Sequence, residues 1–180
     1  MIATQDSTVS APAPFGVDLA PLRDSREQGD ITDRVTFQPG LALLADPALG
    51  IRGSWRSPAG RLLELEIATA GHGDWMALHL TLDPPDLTAL TYLGFACTGV
   101  APAPHVIRPC LRSGEPDGGF VDTFFDRHIL TRTDPVAHVD ALHLQTRRRV
   151  PQTAPWRELV LFLPTASLCW HLHDLRVFAA

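Results

Sequence analysis

Beyond residue 33, apolar and polar residues alternate with a period of two over much of the chain. That period places successive side chains on opposite faces of a sheet. In Leu62-Leu-Glu-Leu-Glu-Ile-Ala68, Leu63, Leu65 and Ile67 face one way and Glu64 and Glu66 the other. Trp75 to Leu82 repeats the pattern, with Leu78, Leu80 and Leu82 inward and His79 and Thr81 outward. With Gly71-His-Gly-Asp74 between them, the two runs predict a β-hairpin. Further strands are predicted at 35–38, 50–56, 92–98, 105–112, 137–144 and, as one long bulged run, 119–130. The chain closes on two alternating runs, Trp156 to Pro164 and Ser167 to Phe178, around a Pro-Thr-Ala turn. No 3.6-residue stripe exceeds two turns. Short strands spaced by Gly and Pro turns predict an all-β fold over residues 34–180, an antiparallel β-sandwich of jelly-roll topology sealed by its C-terminal strand. Residues 1–33 lack a sustained period and are interrupted by Pro12, Pro14 and Pro21, so an extended N-terminal arm is expected there.

A chain of 180 residues, 45% hydrophobic, supports one domain with a substantial core and excludes wholesale disorder. No apolar run approaches the ~20 residues of a membrane span. The opening residues show neither a basic nor an apolar signal region, which predicts a cytoplasmic protein or one exported within a larger assembly. All 15 basic residues are Arg, and Lys and Asn are absent, a pattern of high-GC bacterial coding. The net charge of -5 argues against a nucleic-acid partner. The dense basic run Arg147-Arg-Arg149 reads as a solvated strand end, with a phosphate or glycan contact as the alternative. Cys97, Cys110 and Cys169 form no C-x-x-C pair and lie in apolar runs, so buried reduced thiols are expected.

The 119–130 run is unusually polar for a sheet element. Asp122, Asp126 and His128 share a face with Phe120 and Phe124, and pairing with the 105–112 run would bring Arg108 and Arg112 alongside. A sugar site needs a ring for the sugar C–H face and guanidinium or carboxylate groups for its hydroxyls. The candidate ligand-binding residues are therefore Arg108, Arg112, Asp122, Phe124, Asp126 and His128. The plainer reading of the same residues is a solvated face with cross-strand Arg–Asp pairs. Trp170 is expected in the core, whereas Trp55, Trp75 and Trp156 are core plugs or exposed platforms.

Glycosidase chemistry is not indicated. Asp122 and Asp126 would stand about 13 Å apart along a strand, beyond the ~5–9.5 Å that paired catalytic carboxylates require. Glu64 and Glu66 fall within that range, but they belong to the solvent half of an amphipathic strand. The alternative is a metal-dependent enzyme. His138-Val-Asp140 resembles half of the iron/2-oxoglutarate oxygenase triad, which His171 or His173 would complete. His171-Leu-His173 also resembles the metal strand of cupins.

Four runs taken in order carry a family resemblance: Tyr92-Leu-Gly-Phe-Ala, Val106-Ile-Arg-Pro-Cys-Leu-Arg112, Trp156-Arg-Glu-Leu-Val-Leu-Phe-Leu and His171-Leu-His-Asp-Leu-Arg-Val. Over residues 35–178 the chain resembles bacterial carbohydrate-binding-module jelly rolls of the galactose-binding-like type. The resemblance implies a non-catalytic module that holds carbohydrate on a concave sheet or loop edge. Some members of that superfamily have lost sugar binding and serve as assembly or attachment domains, so a protein partner is the alternative expectation, with a homo-oligomer as a further one. Such modules often carry a structural calcium, and Asp174 matches the position of a carboxylate near that metal.

Overall fold

The computed structural model describes residues 15–83 and 86–180. Two antiparallel sheets stack face to face. The first runs β1 (Gln28–Ile31), β4 (Arg52–Arg56), β5 (Leu63–Ala68), β13 (Leu168–Ala179), β7 (Tyr92–Val100) and β11 (Val136–His143). The second runs β10 (Ile129–Leu130), β8 (Val106–Gly114), β12 (Arg157–Phe162), β6 (Met76–Leu82), β3 (Leu41–Ala45) and β2 (Arg34–Gln38), with β9 (Phe120–Phe124) paired to β8 beside that path. The expected β-sandwich is therefore present, and the C-terminal strand lies at the centre of its sheet rather than at an edge.

Alternation fills the space between the sheets. Leu63, Leu65 and Ile67 of β5, Phe95 of β7, and Leu168, Trp170 and Leu172 of β13 meet Leu41 and Leu43 of β3, Leu78 and Leu80 of β6, and Leu159 and Leu161 of β12. Each such side chain contributes roughly 1.5–3 kcal/mol on burial. In β13 the register shifts between Leu172 and Asp174, and one extra residue inverts the parity. Leu172 and Leu175 can therefore both face the core. Gly53 is the one residue that fits its place in β4. Its φ is +152° and an added Cβ would lie 1.8 Å from the Glu66 carbonyl oxygen.

The predicted hairpin of residues 62–82 does not form. β5 pairs with β4 and β13, while β6 pairs with β3 and β12, so residues 69–75 cross from one sheet to the other. The crossing is held where Ala70 N and Gly71 N donate to the Leu49 carbonyl. Both sheets offer an apolar face to the same core, so alternation alone does not assign a strand to either one. The two terminal runs divide between the sheets in the same way.

Of the segment 1–33, residues 1–14 lie outside the described residues. The remainder is built into the sandwich. β1 pairs with β4, and a short helix, α1 (Ala20–Ser25), buries Leu22. The Gln38 side chain pins that helix, accepting from Leu22 N at 3.1 Å and donating to the Asp18 carbonyl at 2.8 Å.

One inward position of β12 is not apolar. Arg157 is fully buried and donates to Ser113 Oγ at 2.6 Å, the Pro151 carbonyl at 2.7 Å and the Gln152 carbonyl at 3.1 Å. It thereby ties the 150s loop to the end of the sandwich. Arg157→Met leaves the buried Ser113 hydroxyl and both loop carbonyls without this donor, and should cost about 3 kcal/mol in urea unfolding. A loss within experimental error would show that the loop does not depend on this contact.

Candidate functional site

The outward face of the second sheet is ordered in rows by strand register. Trp156 stands beside Gly114, which is paired with Phe120. The next row is Thr81, Glu158, Arg112 and Asp122, and the row after it is His79, Val160, Cys110 and Phe124. Ala77, Phe162 and Arg108 follow. Gly114 is needed here, because a Cβ would meet the Trp156 indole nitrogen at 2.4 Å. The indole thus lies directly over the backbone of β8.

Three rings reach solvent from this face: Trp156 (40% exposed), Phe120 (51%) and Phe124 (38%). Beneath them Ala77, Val160 and Cys110 form a small buried cluster on which Phe162 packs. Burial, aided by nearby Asp122, pushes the Cys110 thiol up to about 12, so it stays protonated and inert. Arg112 ties the rows together. Its Nε donates to Asp122 Oδ1 at 2.7 Å and its Nη2 to Oδ2 at 2.8 Å. Its guanidinium lies 4.0 Å from the Phe120 ring centroid and 5.7 Å from that of Phe162. Arg108 covers Phe124 at 4.5 Å. The Asp122 contact raises the Arg112 pKa further, so the charge is permanent.

His79 and Glu158 complete the face. The imidazole Nδ1 stands 2.8 Å from Glu158 Oε2. His79 is buried rather than solvent-facing as the alternation predicts, and its Nε2 is enclosed with no hydrogen-bond partner among the described residues.

Of the residues singled out from sequence, Arg108, Arg112, Asp122 and Phe124 share this surface. Asp126 does not, because β9 ends at Phe124 and the Asp126 carboxylate turns to an ion pair with Arg147. His128 is exposed in the connection to β10. Trp156, Phe162, Glu158 and His79 escaped the sequence reading of this face. Their outward parity on β12 and β6 was legible, but not that these strands lie beside β8.

A second concavity, about 540 Å³, crosses the outer face of the first sheet between Gln28, Asp30, Ser54, Arg56, Glu64 and His171. Glu64 is buried there instead of facing solvent. Arg56 and Arg61 close over it, and their hydrogen bonds outweigh the burial that alone would raise its pKa, holding it below the usual carboxylate range. Trp55 also borders this groove but is buried, and His171 is the partly exposed ring there.

The metal expectations are not supported. Both oxygens of Asp174 face guanidinium groups, Oδ1 that of Arg23 and Oδ2 that of Arg176 at 2.8 Å, rather than a calcium site. Among the described residues no three His, Cys, Asp or Glu side chains converge as metal ligands. The oxygenase-like set is split. His138 and Asp140 lie on the inward side of β11, with His138 stacked on Phe95, whereas His171 lies on the outer face beside Glu64. The Asp140 carboxylate accepts from Arg127 N and Ala141 N.

No family model matches the sequence, and no curated protein matches it. Solved structures do. The family 11 carbohydrate-binding module from Clostridium thermocellum, in complex with a β-1,3-1,4-mixed-linked tetrasaccharide, aligns with 95% of this chain and 98% of its own, at TM-score 0.50 and 11% identity. The N-terminal CBM22-1–CBM22-2 tandem domain of Xyn10C from Paenibacillus barcinonensis aligns with 95% of this chain at TM-score 0.54 and 11% identity, and 47% of that longer chain is covered. The chain has a β-sandwich fold like that of these modules. At this identity the likeness is one of architecture. Among its described residues, no helix of this module-like sandwich is long and apolar enough to cross a membrane.

The half-buried His138 has a measurable consequence. Burial lowers its pKa, Asp140 opposes that shift and Arg127 adds to it. Below about pH 6.5 the unfolded chain takes up the proton first, so this contribution is complete above that pH and lost as pH falls. Between pH 7 and pH 5 the melting temperature should drop, and His138→Phe should flatten the drop. An unchanged slope in the variant would contradict this. His173, partly buried and shifted the same way, accounts for part of the remaining slope.

Proposed function

We propose that this protein is a non-catalytic carbohydrate-binding module whose glycan lies across the outer face of β9, β8, β12 and β6. The observation that carries the proposal is the Arg112–Asp122 fork set among exposed rings. Phe120, Phe124 and Trp156 offer apolar faces for sugar C–H groups. Arg112 keeps Nη1 outside its contact with Asp122, and Glu158 keeps Oε1 outside its contact with His79. A donor and an acceptor thus stand in one row, as recognition of vicinal hydroxyls requires. The face is packed from below, so little ordering remains for the ligand to impose. Both Asp122 oxygens are held by Arg112, which suits a binding role rather than proton transfer.

The known ligands of the fold neighbours support this reading by architecture alone, so the test is direct. A glycan array followed by calorimetry should identify a bound oligosaccharide. The double variant Phe120→Ala/Phe124→Ala should weaken it at least tenfold with no loss of folding. Glu66→Gln, on the groove of the first sheet, should leave it unchanged. Loss of binding in Glu66→Gln alone would move the site to that groove. Silence across the array, with a protein captured instead, would favour the assembly role.

A further inference from the structure

The Arg147–Arg149 run lies beside this platform. Together with β9 it bounds a cavity of about 360 Å³, with Asp122, Thr123 and Phe124 on one side and Thr146 to Arg149 on the other. The segment is anchored. Leu144 and Val150 are buried on either side of it, Thr146 N and Oγ1 both donate to the His143 carbonyl, and Val150 N donates to the Arg147 carbonyl. Among the described residues β9 pairs only with β8, so its other edge faces this cavity.

The charges do not cancel. Asp122 is matched by Arg112, and Asp126 by Arg147. Arg148 and Arg149 make no ion pair with the described residues, nor does Arg108 over Phe124. Three positive charges therefore surround one exposed ring in a protein of net charge -5. A neutral sugar can accept single hydrogen bonds there but leaves the charge unmatched, whereas a carboxylate neutralises it and accepts a guanidinium fork in two parallel bonds.

We infer that this cavity holds the carboxylate of an acidic sugar unit, so that the module recognises uronate-containing polysaccharide. The inference rests on the glycan reading above and narrows its ligand class. Phe124 stacks the sugar ring while Arg148 and Arg149 take its charge, and Thr123 and Thr146 stand within the same cavity for its hydroxyls.

The test is calorimetry on the full chain with polygalacturonate, alginate and glucuronoxylan, each beside its methyl-esterified or carboxyl-reduced form, plus a neutral mixed-linkage β-glucan and single-stranded DNA. At least one acidic polymer should bind tenfold or more tighter than its neutralised form, and salt should weaken it. Arg148→Ala/Arg149→Ala, both on the surface, should abolish that preference without altering the melting temperature. Equal binding of acidic and neutral forms, or a preference that survives the double variant, overturns the inference and leaves the glycan reading standing. No binding to any polysaccharide overturns both. Tighter binding to DNA, lost in the double variant, reassigns the cavity to phosphodiesters.

Discussion

The outer face of the second sheet depends on one ion pair. Arg112 on β8 and Asp122 on β9 are direct cross-strand partners, joined by two parallel hydrogen bonds. Surface ion pairs usually contribute little. This one differs in being largely shielded, with side-chain exposures of 16% and 23%, and in being bidentate. β9 is a five-residue edge strand paired with only one neighbour, so this contact holds the register that sends Phe120 and Phe124 outward. A one-residue slip would turn both rings away. A lysine could not substitute, because neither the planar fork nor the stacking on Phe120 is available to an ammonium group.

From that pair the remaining features follow in layers. The core between the sheets is ordinary β-sandwich packing and would serve any role. What distinguishes this chain lies outside it: a second, smaller apolar layer of Ala77, Cys110, Val160 and Phe162, roofed by rings and guanidinium groups. Gly114 lets the Trp156 indole sit flat on β8. The opposite sheet also carries a large groove, but its buried carboxylate is already matched by two arginines, and its Trp55 is buried rather than presented as an open indole face. Size favours the groove, and chemistry favours the platform.

Much of the sandwich was legible from alternation, since a period of two names strands and their faces without reference to neighbours. The nearness of Arg108 and Arg112 to Asp122 and Phe124 also followed from parity once the two runs were taken as paired. Lateral order was not legible. The 62–68 and 75–82 runs looked like a hairpin because strands from either sheet show the same pattern. The burial of His79 and Glu64 depends on side chains from other segments closing over them. Asp126 lost its place on the face because β9 stops two residues earlier, and Asp174 was matched by Arg23, remote in sequence. Leu41-Ala-Leu-Leu-Ala45 lacks a polar partner set to reveal its alternation, and β1 is a short edge strand.

The most direct measurement is a titration of the protein with its tightest-binding oligosaccharide, followed by backbone and arginine side-chain NMR. The account predicts that the perturbed signals cluster on β8, β9 and β12, with the Arg112 and Arg108 guanidinium resonances among the largest shifts. Perturbation concentrated on Gln28, Ser54, Arg56 and His171, with the aromatic face silent, would contradict it.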